Sequence, residues 1–332
     1  MSGVTQETVT ADEDGLRLDR WFKRRYPDLP YSRFQKLARS GQVRIDGKRV
    51  KAGDRLETGQ IVRVPPIRSA EEAMSMAPRP QSEPEISSDD RAIIQAAIIF
   101  EDDDVIVLNK PPGLASQGGT GTSRHVDGLM TALADGRERP RLVHRLDRDT
   151  SGVLALGKTA AAASKLAKAF RDRTARKIYW ALVAGLPSPD HGTIDLPLKK
   201  AGARGAERMV WEDGDGDRAI TDFAVLERAG RAAALVAVKP VTGRTHQIRA
   251  HLAAIGHPVL GDGKYGGADA ALPGMRLPKG MMLHARSLDL PAIRGRGRLR
   301  FEAAPPPAFA EALAAFGFDP ARFPDPFTAA GR

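Results

Sequence analysis

Nine consecutive residues, His144-Arg145-Leu146-Asp147-Arg148-Asp149-Thr150-Ser151-Gly152, gather two carboxylates and three basic side chains beside a Thr-Ser-Gly turn. The apolar run that follows, Val153-Leu154-Ala155-Leu156, reads as a buried strand. A polar loop feeding an inner strand places Asp147 on a rigid edge, where a catalytic carboxylate is best held. The same residue types also suit a turn whose Asp and Ser side chains cap backbone groups. The nine residues alone do not separate these readings.

Other blocks along the chain do. Residues 101 to 113 run from an acidic start through Val105-Ile106-Val107-Leu108 to Asn109-Lys110-Pro111-Pro112-Gly113. Further on come Lys177-Ile178-Tyr179, then Thr242-Gly243-Arg244-Thr245-His246-Gln247-Ile248-Arg249, Gly256-His257-Pro258, Gly261-Asp262 and Leu283-His284-Ala285. In type and order, across residues 95 to 305, these blocks resemble the signatures of the RluA/RluC/RluD-type pseudouridine synthases that modify large-subunit ribosomal RNA. The resemblance implies an α+β catalytic domain built on a mixed, mainly antiparallel sheet.

Making pseudouridine breaks the ribose–uracil bond, turns the base and rejoins it through carbon. The reaction is redox-neutral, so no electron carrier or other cofactor is expected. It needs a group that stabilises or captures the sugar, and an ionised carboxylate can do so as a nucleophile. By the resemblance that group is Asp147, not Asp149. Direct attack on the sugar and a prior elimination both remain open at this stage.

A carboxylate in a water-poor pocket needs a fixed cation, since burial disfavours its charge. A guanidinium supplies it, and the matching residue is Arg249. Tyr179 matches the family tyrosine that packs on the base and can move a proton. Arg145, next to the nucleophile, is expected to help open the RNA or hold the extracted nucleotide, because a stacked uridine costs a few kcal/mol to flip. Arg244, Lys110 and His246 are expected phosphate or loop contacts, and Leu283 an apolar wall for the base. One departure is visible: where the family often has His after its Lys-Pro-x-Gly, this chain has Leu114-Ala115-Ser116-Gln117.

These blocks need elements to position them, and the 332 residues have room for two domains. There is no cysteine, which excludes disulfides and thiolate metal sites. The seven histidines show no metal-ligand spacing, and no metal is expected. No secretory leader and no apolar run near the ~20 residues of a membrane span appear, so a cytoplasmic location without membrane attachment is expected.

The net charge of +10 is uneven: residues 15 to 68 hold fifteen Lys or Arg against five Asp or Glu. A compact basic module on a near-neutral remainder suggests a polyanion handle. Within it Leu18, Trp21, Phe22 and Tyr26 fall at helical spacing. A second helix is predicted from Ser32 as cap, with Phe34 and Leu37 inward and Arg33, Lys36 and Arg39 on or near one exposed face. Gly41 ends it. Val43-Arg44-Ile45 and Lys48-Arg49-Val50 flank Asp46-Gly47, a tight-hairpin signal, and residues 61 to 64 add a strand. This pattern is similar to the S4 RNA-binding domain, which makes Arg33, Lys36, Arg39 and Arg44 expected RNA contacts.

Residues 69 to 91, rich in Pro, Ser, Glu and Met, are predicted to form a flexible linker. The catalytic domain is expected over residues 92 to 305. In it residues 160 to 170 read as a helix, and residues 219 to 226 and 232 to 239 as paired strands. Residues 306 to 332 are expected to be a tail with one Ala-rich helix and a Pro-broken end, to which the sequence assigns no role. Residues 152 to 159 match the phosphate-loop pattern in letters, but the intervening residues are themselves the apolar strand, and an extended strand cannot wrap a phosphate. The expected partner is large-subunit (23S) ribosomal RNA or its assembly intermediates, bound by a monomer. The alternatives are an RluD-like or other RNA pseudouridine synthase, and a catalytically idle RNA-binding assembly factor. The Pro65-Pro66-Ile67-Arg68 join resembles the RluC type.

Overall fold

The computed structural model of the chain describes residues 4–27, 29–67, 86–118, 124–134, 138–202, 207–212 and 216–327. It divides into two compact units, Met1–Glu85 and Ile86–Arg332.

The first unit contains β1 (Thr5–Thr8), α1 (Leu18–Arg25), α2 (Tyr31–Arg39), β2 (Arg44–Ile45), β3 (Lys48–Arg49) and β4 (Ile61–Val64), with the strands in the order β1-β4-β2-β3. Leu18, Trp21 and Phe22 share one face of α1 by their spacing and are fully buried. The Phe22 and Phe34 rings, with centroids 4.7 Å apart, join the two helices. Helix α2 starts one residue before the predicted cap Ser32, because Pro30 (φ −57°, ψ 138°) takes the cap position. At the hairpin, Asp46 (φ 48°) and Gly47 (φ 77°) are both left-handed, as a two-residue turn with the right twist requires. A forked pair of bonds from Arg25 to Glu13, both 2.9 Å, pulls the Glu13 carboxyl down to about 2.

The second unit opens with α3 (Ser88–Ala96), whose cap is Ser87: its hydroxyl accepts from Asp90 N at 3.1 Å. Residues 88 to 91 had been expected to be linker; this cap and the burial of Ile94 make them helix. The rest of that expectation falls almost wholly on residues outside those described. The strands are β5 (Ile98–Glu101), β6 (Val105–Lys110), β7 (Arg141–Leu142), β8 (Ser151–Gly157), β9 (Arg176–Ala184), β10 (His191–Asp195), β11 (Leu198–Ala201), β12 (Arg208–Trp211), β13 (Ile220–Ala229), β14 (Ala233–Pro240), β15 (Leu283–Pro291) and β16 (Arg298–Glu302). Between them lie α4 (Val126–Leu129), α5 (Ala160–Arg171) and α6 (Gln247–Ala254), followed by α7 (Pro307–Ala315).

The central sheet runs β10-β13-β14-β9-β15-β8-β6-β5, with β16 on β15 and β7 on β8. Its pairings are antiparallel except β15 with β8, so it is mixed and mainly antiparallel. β8 is buried along its whole length. Leu154 and Leu156 enter the apolar cluster on one face, and Val153 and Ala155 the cluster on the other, which is why this run is continuously apolar. Helix α7 is not a free tail: Phe309, Ala312 and Leu313 are buried in the main core. Among the described residues no helix is long and apolar enough to cross a membrane.

One glycine fixes where the loop of residues 144 to 150 meets the sheet. Gly152 has φ +110°, and a Cβ there would lie 2.2 Å from the Ala285 carbonyl oxygen on β15. Gly152→Ala is therefore expected to cost roughly 3 kcal/mol or more, through backbone strain and a clash that the parallel pair cannot relieve. Gly230→Ala, left-handed (φ +58°) but with open space around it, should cost only about 1–2 kcal/mol. Urea unfolding of the two variants checks the contrast.

Candidate active site

The loop before β8 is pinned from beneath. Lys110, at the end of β6, has no exposed surface, and its Nζ donates to the carbonyls of Pro111 (2.8 Å), Leu114 (2.8 Å) and Arg148 (3.0 Å). Three acceptors match the three protons of an ammonium. Burial nevertheless pushes its pKa down to about 7, against the charges of Asp149 and Asp147. The expectation that Lys110 contacts RNA is thus corrected: it fastens one loop to another and presents nothing to solvent. Ser116 grips the residue before the carboxylate from both sides. Its Oγ accepts from Leu146 N at 2.9 Å and donates to Leu146 O at 2.7 Å. Thr150 N closes the turn on Asp147 O at 3.2 Å.

Asp147 meets two groups from the segment opening α6. Arg249 Nη1 lies 3.4 Å and His246 Nε2 3.8 Å from the same oxygen, Oδ2. Among the described residues Oδ1 has no hydrogen-bond or ion-pair partner. The Asp147 side chain keeps 19% of its surface exposed, against 8% for Arg249.

Arg249 is not anchored by Asp147. It makes a forked pair with Asp262, Nε to Oδ2 at 2.7 Å and Nη2 to Oδ1 at 2.8 Å, and Asp262 is buried. Asp262 also accepts from the backbone of Lys264 (3.1 Å) and Tyr265 (3.2 Å). The guanidinium carbon sits 4.8 Å from the Tyr265 ring centre. Gly261 lets the chain reach this position: a Cβ there would lie 1.9 Å from the Gly280 carbonyl oxygen.

Strand β9 supplies the opposite wall. Tyr179 pairs in register with Val238 on one side and Ala285 on the other. It is buried, and burial together with the Asp147 charge raises its pKa well above the ordinary phenol value. Leu283, buried at the start of β15, lies in register with Ala181 and lines the same cavity. Lys177, two residues before Tyr179 and so on the same strand face, also lines it, and burial lowers its pKa. The cavity measures about 570 Å³, within the range of small-ligand sites.

The structure therefore brings Asp147, Tyr179, Arg249, His246, Arg145, Arg244 and Leu283 to one cavity. Arg145 is exposed at its edge. Arg244 is steadied by Asp217 Oδ2 at 3.2 Å and the Arg218 carbonyl at 3.1 Å. His144, despite its place in the motif, is spent on structure: its ring stacks on Phe170 and its Nε2 accepts from Ala155 N at 2.9 Å. Burial and nearby Lys177 push its pKa down to about 3. In the N-terminal unit Lys36 and Arg39 are exposed on α2 and Arg33 is half-buried. Arg44 braces its own turn through the carbonyls of Gly41 (3.1 Å) and Gly47 (3.0 Å).

Sequence reasoning missed Ser116, Tyr265 and the role of Asp262. Asp262 stood in a noted Gly-Asp pair, but its partner lies 13 residues away and across a turn. Tyr265 carried no signal beyond its nearness to that pair.

Known proteins resemble this chain in both of its units. The profile of the family described as RNA pseudouridylate synthase matches residues 104–254, and that of the S4 domain matches residues 16–62. The chain is 37% identical over 304 residues to the ribosomal large subunit pseudouridine synthase C of Haemophilus influenzae, covering 91% of this chain and 92% of that one. It is 40% identical over 259 residues to the protein of the same name from Escherichia coli K12, covering 78% of each. Among solved structures, human RNA pseudouridylate synthase domain containing 4 superposes with a TM-score of 0.57 at 28% identity, covering 68% of this chain and 95% of that one.

The Arg249–Asp262 pair predicts a stability difference. Asp262→Asn leaves a buried guanidinium facing an amide, with an expected loss of roughly 3–5 kcal/mol. Asp149→Asn removes an exposed contact to Arg148 at 3.9 Å and one of the two charges that support the Lys110 ammonium, and should cost less, roughly 1 kcal/mol. Chemical denaturation of both variants measures the gap.

Proposed function

The chain belongs to the RNA pseudouridylate synthase family and carries an S4 domain, and on that premise we propose that it converts uridines of large-subunit ribosomal RNA to pseudouridine, with Asp147 as nucleophile. The observation that carries the residue assignment is the asymmetric hold on the carboxylate. Arg249 and His246 both face Oδ2, which leaves Oδ1 free at the cavity. The relatives named for the large ribosomal subunit match 91% and 78% of the chain, and this supports the substrate.

In this reading the extracted uridine lies between Tyr179 and the Leu283 wall. Asp147 Oδ1 captures the sugar at C1′ as the C1′–N1 bond breaks, and the electron pair leaves with the base. The base turns, C5 bonds to C1′, and the bond to Asp147 breaks. The C5 proton is lost and N1 gains one, so the isomerisation balances without a redox partner. Tyr179, held protonated by burial and by the Asp147 charge, enters as a hydrogen-bond donor to the base or as an acid. Arg145 and Arg244 meet the RNA at the edge of the cavity. The exposed cations of α2 serve as a handle on RNA phosphates, and the protein acts as a monomer in the cytoplasm.

Asp147→Asn keeps the shape and loses the nucleophile, so pseudouridine formation should fall below detection while RNA affinity stays within about twofold. Mapping pseudouridine in ribosomal RNA incubated with the purified variant tests this, and substantial activity would sink the assignment. A triple Arg33→Gln, Lys36→Gln, Arg39→Gln variant should bind RNA more weakly, with a salt slope reduced by about 0.7–0.9 for each lost phosphate contact. Filter binding across a salt series reads it, and an unchanged slope would show that α2 is not the handle.

A further inference from the structure

Tyr265 touches every member of the anchored cluster, though none of the sequence blocks singled it out. Its backbone N–H donates to Asp262 and its ring lies under the Arg249 guanidinium. Its hydroxyl oxygen lies 2.9 Å from Met209 N on β12 and 2.9 Å from His246 Nδ1. The His246 and Tyr265 rings meet edge-on, with centroids 5.6 Å apart and planes at 88°.

We propose that Tyr265 is a positioning residue for the reaction: its hydroxyl donates to His246 Nδ1 and holds the imidazole in the tautomer whose Nε2–H faces Asp147 Oδ2, which leaves Oδ1 to react. Hydrogen-bond accounting gives the direction. The Tyr265 oxygen already accepts from Met209 N–H, so its own proton needs an acceptor, and His246 Nδ1 is the one within reach. The opposite tautomer would leave that hydroxyl proton without a partner among the described residues, at a cost comparable to a lost hydrogen bond. It would also turn the bare Nε2 lone pair toward a carboxylate oxygen. His246 sits at the cap of α6 in the left-handed region (φ 51°), a strained backbone that persists only where its surroundings fix it.

The groups facing His246 are Asp147 and Asp262, Arg249 and Lys264, and Tyr265 itself. Burial outweighs the two carboxylates and holds its pKa below the ordinary value, in keeping with a neutral ring. Removing the hydroxyl takes away a bond made only by the neutral ring, so protonation becomes easier and the pKa should rise.

The proposal rests on the reading of Asp147 as nucleophile, and the test separates the two. Long-range ¹⁵N–¹H spectra of the full-length wild type should show His246 protonated at Nε2 alone. Tyr265→Phe should show both tautomers, a turnover lowered about tenfold with RNA affinity unchanged, and an acid limb of the pH profile moved to higher pH. A wild-type ring protonated at Nδ1 overturns the proposal. So does a Tyr265→Phe enzyme with wild-type tautomer and pH profile. A folding defect in the variant leaves the wild-type spectrum to decide. An active Asp147→Asn enzyme beside the expected spectra would fault the role of Asp147 and not the tautomer.

Discussion

The site depends on one buried guanidinium that is shared unequally between two carboxylates. Asp262 takes the forked geometry at 2.7 and 2.8 Å, while Asp147 receives a single, longer contact at 3.4 Å. Asp147 is the more exposed of the two acids. A bidentate Arg249–Asp147 pair would have bound both of its oxygens. Asp262 prevents this by occupying the fork.

This arrangement tolerates little movement, and the sheet supplies the rigidity. Asp147 sits one short turn before β8, which pairs in parallel with β15 over Ser151 and Gly152. β15 pairs in turn with β9, so Ala285 is the register partner of both Gly152 and Tyr179. The Asp147 loop, Tyr179 and the apolar wall are thus tied to three neighbouring strands. The absent Cβ at Gly152 lets two of those strands come together.

Much of this was legible in the sequence, for physical reasons. An apolar run located β8, composition located α5, residues 219 to 226 and 232 to 239 read as the β13–β14 pair, and the Asp46-Gly47 hairpin followed from its turn chemistry. The motif blocks named most of the residues that meet at the cavity. What stayed hidden was the direction in which polar residues spend their bonds. Lys110 looks like a phosphate contact by type, but carbonyls from two loops consume its ammonium. Ser116 lies in the block where the chain departs from the family pattern, and only its distance to Leu146 shows that it holds the catalytic loop. Helix α7 seemed a tail because its composition is Ala-rich, although Phe309 and Leu313 close the core. For Lys110 and Ser116 a deciding partner, Arg148 or Leu146, lies 38 or 30 residues away.

The protonation pattern follows from the same unequal sharing. Burial favours the neutral form of Tyr179 and His246, so one stays a phenol and the other a neutral imidazole. Burial also lowers the pKa of Lys177 on the cavity wall. The forked partner Asp262 secures the charge of Arg249. Two neutral proton carriers thus stand near a carboxylate with an open oxygen. An isomerisation needs this combination: a group to capture the sugar, and protons that can be lent and returned without net gain or loss.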